Sequence, residues 1–214
     1  MRVMCLGDSN TYGFDPRSYF GGRYPAEARW VDILAQKTGW DILNEGENGR
    51  SIPRWDFELQ LLQRTTIDAS IDLLIIMLGS NDLLQGADAE ITARRMEAFL
   101  SWLPIPLEKV LLVAPPPMQP GAWVFEEKLL KEAVKLTVEY RDLAHRLGVR
   151  FVDASTWNVD LAYDGAHFAE EGHRTFADEL IYYLDDVYND PPERFYDFSG
   201  SGHHPRDQGP GGAE

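Results

Sequence analysis

The sequence predicts a three-layer α/β domain built on a parallel sheet, and three observations carry that prediction. Short apolar runs alternate with longer segments of helical period along the chain. The third run, residues 71–78 (Ile-Asp-Leu-Leu-Ile-Ile-Met-Leu), is almost continuously apolar, as befits a strand covered on both faces. Small and polar residues follow the runs, where loops leave the carboxyl ends of parallel strands.

In chain order, strands are expected at residues 2–6, 41–44, 71–78, 110–114 and 150–153. Met96, Phe99, Leu100 and Leu103 share one face of a helix whose expected N-cap is Asp88. Leu129, Ala133, Leu136, Tyr140, Leu143 and Leu147 follow a 3.6-residue period, and Gly148 stands where a helix C′ glycine belongs. Further helices are expected at 31–38, 55–66 and 170–184. Such alternation implies right-handed crossovers and one domain over residues 1–187. Residues 188–214 are rich in Pro, Gly and His and poor in aliphatics, and are expected as a tail outside the core.

Composition narrows the classes of function. Apolar residues make up 44% and charged residues 26% of 214, the profile of a globular domain able to bury a core. A formal net charge of -15, with no basic cluster, argues against nucleic acid or an anionic membrane as partner. The single cysteine, Cys5, lies in an apolar run, so an intramolecular disulfide is excluded and a cysteine-based zinc site is not expected. No leader or membrane-length segment is read, and a cytoplasmic protein is the expectation. A homo-oligomer is compatible with the sequence.

The chemistry is expected at the strand ends. Gly7-Asp8-Ser9-Asn10 follows the first run and opens a long loop to Trp30. The segment 44–51, which contains Gly49, follows the second, Gly79-Ser80-Asn81-Asp82 the third, and Pro115-Pro116-Pro117-Met118 the fourth. The fifth leads to Asp164-Gly165-Ala166-His167. Each feature alone has a structural explanation as a cap or turn. Together and in order they match the needs of nucleophilic catalysis. A serine hydroxyl needs a base, histidine suits that task near neutrality, and a carboxylate on the other ring nitrogen fixes the tautomer. Ser9, His167 and Asp164 fill these roles, and the backbone N–H groups of Ser9 and Gly49 with the Asn81 amide could hold an oxyanion. His145 is expected to face solvent and His173 to lie on the surface or with a satisfied neighbour, while His203 and His204 fall in the tail. No metal-ligand spacing is apparent, and no cofactor is expected.

These blocks resemble those of the GDSL or SGNH hydrolases. The first appears as Gly7-Asp8-Ser9-Asn10, with Asn10 where many members carry leucine, a departure not expected to disturb the chemistry. Gly49, Asn81 and Asp164-x-x-His167 match the remaining blocks, and the resemblance covers roughly residues 2–187. Residues 76–82, 113–117 and Arg29-Trp30 look like the arylesterase and acyltransferase branch. The resemblance implies a flavodoxin-like sheet of order 2-1-3-4-5, a Ser9–His167–Asp164 triad, and oxyanion donors at Ser9, Gly49 and Asn81. The expected activity is hydrolysis of short-chain carboxylic esters, with acyl transfer to alcohols as a further capacity. A carbohydrate O-acetyl esterase is the alternative, with Tyr12, Phe14, Trp30 and Trp123 as candidate pocket aromatics in either case. A distant alternative is a non-catalytic flavodoxin-like domain whose first loop cradles a phosphate.

Overall fold

The computed structural model describes residues 1–189 with the exception of 19 and 21. Among these, five strands form one parallel sheet: β1 (Arg2–Gly7), β2 (Asp41–Gly46), β3 (Leu73–Met77), β4 (Val110–Ala114) and β5 (Arg150–Asp153). The order is β2-β1-β3-β4-β5, with every pairing parallel, as the sequence implied. The intervening helices are α1 (Ser9–Tyr12), α2 (Trp30–Thr38), α3 (Asp56–Ala69), α4 (Ser80–Leu84), α5 (Ala89–Trp102), α6 (Glu127–Leu147) and α7 (Glu170–Asn189). Helix α7 runs to the last described residue, past the expected boundary at 187, and residues 190–214 of the expected tail, His203 and His204 among them, lie outside the described residues.

Two-residue periodicity divides each central strand between two cores. Met4 and Leu6 of β1 point to one face, where they join Leu74, Leu112, Met96, Phe99, Leu136 and Tyr140. Val3 and Cys5 point to the other, with Trp30, Leu34, Phe176 and Leu180 of α2 and α7. Strands β3 and β4 are buried along their whole length, whereas β2 at the sheet edge is only half-buried. The local signals in the sequence operate as read. The Asp88 side chain accepts the Ile91 N–H at the start of α5, and Gly148 closes α6 in the left-handed conformation.

Strand bounds differ from the apolar pattern where hydrophobicity and pairing part company. Ile71 and Leu78 are buried but lie outside the β3 ladder, so the eight-residue run shortens to five paired residues. Glu45 and Gly46 extend β2 beyond the expected 41–44 instead, because Gly46 still pairs with Gly7. A backbone ladder requires N–H and C=O groups, not apolar side chains.

After β3 the chain turns at Gly79, with φ at 123°, a region that side chains rarely adopt. A Cβ there would stand 2.6 Å from the Tyr140 hydroxyl and 2.9 Å from Leu136 Cδ2. That hydroxyl donates to the Leu78 carbonyl at 3.1 Å, so the crowding would strike a buried hydrogen bond. Gly79→Ala is therefore expected to lower stability by about 1–3 kcal/mol, measured by urea unfolding. Gly148→Ala also imposes a positive φ, but it meets no atom within 4 Å and should cost less. Equal losses at the two positions would refute the packing argument.

Candidate active site

Parallel pairing brings the ends of β1, β2 and β3 to one edge, since Gly7 is in register with both Gly46 and Met77. The strand order reverses its direction of growth between β1 and β3, the switch point at which such sheets bind ligands. A cavity of about 320 Å³ opens there, lined from the β1 end by Asp8, Ser9, Asn10 and Phe14. Asn48 and Gly49 line it after β2, Ser80, Asn81 and Leu84 after β3, and Trp123, Ala166 and His167 complete it. A roomier groove of about 550 Å³ between α5 and α6 is lined mainly by charged side chains such as Glu97, Glu139 and Arg146 and contains neither Ser9 nor His167.

Ser9 is the first residue of α1, whose N-cap Asp8 accepts the Asn10 N–H at 2.9 Å. Its hydroxyl lies 3.0 Å from His167 Nε2. His167 Nδ1 lies 2.7 Å from Asp164 Oδ2, while Asp164 Oδ1 accepts the N–H groups of Ala166 and His167, both at 2.9 Å. With the proton on Nδ1 facing the carboxylate, Nε2 is an acceptor facing the serine hydroxyl. Asp164 is fully buried. Burial alone would raise its carboxyl pKa, but the hydrogen bonds from the His167 side chain and from the two backbone N–H groups hold it below the ordinary value. The arrangement can take a proton from a serine hydroxyl and keep the resulting imidazolium beside a carboxylate.

The expected oxyanion donors converge on the same cavity. Gly49 sits in the Glu47–Arg50 turn at φ 76°, with open space where a Cβ would stand. Asn81 Nδ2 donates to the Arg50 carbonyl at 3.1 Å. An amide nitrogen carries two protons, so this bond orients the group and commits only one of them. Arg50 braces the loop in turn, its guanidinium reaching the carbonyls of Gly7 and Glu45 and the carboxylate of Glu47. Asp82, fully buried beside Asn81, accepts the Ile52 N–H at 2.9 Å and pairs with Arg95 at 2.7 Å. Arg50 thus ties the Gly49 segment to the ends of β1 and β2 and Asp82 ties it to α4, and sequence reasoning missed both because Gly7 and Ile52, the backbone partners that matter, lie 43 and 30 residues away.

Of the four candidate pocket aromatics, the structure brings two to the site. Phe14 and Trp123 flank the His167 ring at centroid distances of 4.7 and 5.1 Å. Trp30 is a core residue instead: it is 1% exposed, packs on Phe176, and donates its indole N–H to the Asn10 carbonyl. It opens α2 with its side chain on the face of Leu34, which fixes it inward. Tyr12 is outside the cavity lining and lies under the Arg23 guanidinium, 4.3 Å from its ring centre.

His173 also departs from expectation. It is fully buried, edge-on to Tyr24 and Phe168, and neither ring nitrogen has a partner among the described residues. The signal was present in the sequence, since His173, Phe176, Ala177, Leu180 and Leu184 form one helical stripe. Burial, and then the nearby Arg29 and His167, push its pKa down to about 3. Asp8 moves the other way, raised to about 6 by burial against the opposing Asn10 N–H bond and the charges of His167 and Arg50. His145 is exposed, as expected.

Residues 5–175 match the GDSL-like lipase/acylhydrolase family. No curated protein matches the chain. Among solved structures, the M. smegmatis aryl esterase is similar at 27% identity and a TM-score of 0.75, over 87% of this chain and 99% of that one. A carbohydrate acetylesterase from Sinorhizobium meliloti is similar at 26% identity and a TM-score of 0.75, over the same shares of the two chains. A lipase/acylhydrolase from Enterococcus faecalis, at 19% identity and a TM-score of 0.67 over 87% and 96%, shares the fold.

The buried His173 generates a prediction for acid stability. Between its folded pKa of about 3 and the ordinary 6.5, the unfolded chain binds a proton that the folded chain refuses. Its contribution therefore erodes stability as pH falls through that window, by up to about 1.4 kcal/mol per pH unit. Asp8 acts in the opposite sense between 3.8 and about 6, where the folded chain retains a proton that the unfolded chain releases. Comparing His173→Leu with the parent chain cancels the Asp8 contribution. The variant should gain stability relative to the parent on acidification from pH 7 to 4, and parallel unfolding curves would refute this.

Proposed function

The chain belongs to the GDSL-like lipase/acylhydrolase family, and on that premise we propose that it hydrolyses short-chain carboxylic esters through an acyl-enzyme on Ser9. The observation that carries the reading is the hydrogen-bonded series Asp164–His167–Ser9, at 2.7 and 3.0 Å, at the mouth of a cavity shared with Gly49 and Asn81. His167 takes the Ser9 proton as the hydroxyl oxygen attacks the acyl carbon, and returns it to the departing alkoxide. Water then enters, His167 takes its proton, and the acyl–serine bond breaks with return of the proton to Ser9. Ser9 N–H, Gly49 N–H and the Asn81 amide stabilise the oxygen that becomes negative in each addition. An alcohol entering in place of water would make the reaction an acyl transfer by the same steps.

A second reading, a carbohydrate O-acetyl esterase, is favoured by Trp123, which is 54% exposed beside His167 and lines the cavity. The similar acetylesterase from Sinorhizobium meliloti is named for that class. Acetylated xylan fragments assayed beside aryl acetates separate the two.

The mechanism predicts a specific pattern of losses. Ser9→Ala should abolish turnover of p-nitrophenyl acetate while leaving thermal unfolding unchanged, and substantial residual turnover would end the assignment. Asn81→Ala should lower kcat by roughly 10²–10³-fold with little change in KM, since the lost donor acts on charge that exists only in the transition state. A lowered Tm with unchanged kcat would instead make Asn81 a cap.

Cavity size sets acyl length. With about 320 Å³ shared between acyl and alcohol groups, acetyl to butyryl chains fit inside, whereas a dodecanoyl chain must lie across the exposed rim. Turnover of p-nitrophenyl esters is therefore expected to fall beyond butyrate. Faster hydrolysis of dodecanoate than of acetate would refute the small-pocket claim.

A further inference from the structure

Ser9 and His167 are 158 residues apart, and their contact joins two separate loops. The Asp164–His167 contact closes within a turn and carries no information about where that turn sits relative to Ser9. Other bonds hold the turn from outside the Ser9 helix: Ala162 N–H donates to the His167 carbonyl, Trp123 N–H to the Asp164 carbonyl, and the Tyr24 hydroxyl to the Phe168 carbonyl.

One side chain next to Ser9 spans the gap. Asn10 Nδ2 donates to the Ala166 carbonyl at 3.1 Å, and its Oδ1 accepts the Phe168 N–H at 2.8 Å. These are the residues immediately before and after His167. Asn10 is itself held on its backbone, its N–H by Asp8 Oδ1 at 2.9 Å and its carbonyl by the Trp30 indole at 3.0 Å. It is 7% exposed, so these bonds form largely away from water. Only a carboxamide supplies a donor and an acceptor at that spacing. Leucine supplies neither, and an aspartate would face the Ala166 carbonyl with a lone pair.

We propose that Asn10 is a positioning residue that sets the Ser9–His167 distance by bracketing His167 on both sides. The inference rests on the esterase reading above. It replaces the expectation that asparagine at this position is chemically neutral. Loosening the bracket leaves the acyl pocket and the Asp164–His167 pair in place but lets the base drift from the nucleophile, and a misplacement of about 1 Å can cost on the order of 10²-fold in rate.

The test uses Asn10→Leu, the nearly isosteric Asn10→Asp, and Ser9→Ala in the full chain, with p-nitrophenyl acetate as substrate. Kinetics, thermal unfolding and the downfield proton resonance of the His167–Asp164 hydrogen bond are measured on each. Both Asn10 variants are expected to keep that resonance and an unchanged KM, with kcat lowered by about 10²-fold. A folded Asn10→Asp with kcat within a few-fold of the parent overturns the proposal, as does a lowered Tm without loss of kcat. Should Asn10→Leu not fold, Asn10→Asp decides; failure of both to fold also overturns it, because the residue would then be required for folding. Failure of the esterase reading is recognised separately, by an inactive parent chain or an active Ser9→Ala, and the proposal falls with it.

Discussion

The register of β1 against its two neighbours is the constraint on which the candidate active-site edge depends. Gly7 pairs with Gly46 on one side and with Met77 on the other, so three strands end at one level. Ser9 lies two residues beyond that level, Gly49 three and Asn81 four. Short segments can reach only a little way from where their strands stop, at most about 3.3–3.6 Å per residue. Convergence of these groups on one cavity follows from backbone pairing more than from any attraction between them. A slip of β3 by one residue would also exchange the two faces of a strand that is buried on both, and so would disturb both cores.

Around this edge the structure divides the work between local and distant contacts. The Asp164–His167 turn is self-sufficient, because one carboxylate gathers two backbone N–H groups and a ring nitrogen within four residues. The segment of the proposed oxyanion donor Gly49 is not. Gly49 is held by Arg50 on the β1 and β2 carbonyls, and by the Ile52 N–H bound to Asp82, a carboxylate whose own charge is met by Arg95 on α5. A buried carboxylate without such partners would be strongly destabilising, so Arg95 serves the site without approaching it.

The sequence disclosed what depends on periodicity and on local chemistry. The five strands, the Asp88 cap, the Gly148 stop and the Asp164-x-x-His167 turn are all written in residues near one another. What it concealed depends on geometry across long separations. Trp30 reads as a pocket aromatic because it follows a polar loop, yet it sits on the inner face of α2. His173 reads as a surface histidine because polar residues precede it, although its stripe partners Phe176 and Leu180 were in view. Asn10 reads as a chemically neutral departure because its partners lie 156 and 158 residues away, and no local pattern records a side chain bound to a distant backbone.

Charge completes the argument about what this cavity accepts. Among the described residues its lining includes Asp8 and no lysine or arginine, and Asp164 lies buried behind His167. Asp8, its pKa raised by burial to about 6, puts a carboxyl group in this loop of a protein whose net charge is already -15. A phosphate lodged against the Gly7-Asp8-Ser9-Asn10 loop would sit beside that carboxyl group, and the nearest guanidinium, that of Arg50, is engaged by the Gly7 and Glu45 carbonyls and the Glu47 carboxylate, which argues against the phosphate-cradle reading. An uncharged ester meets no such penalty. In the proposed reaction its carboxylate product would, and would meet only neutral donors, the backbone N–H groups of Ser9 and Gly49 and the Asn81 amide. On the proposed mechanism, dipoles that stabilise a transient oxyanion without a fixed cation to retain a permanent anion would favour turnover of neutral esters over retention of their acids.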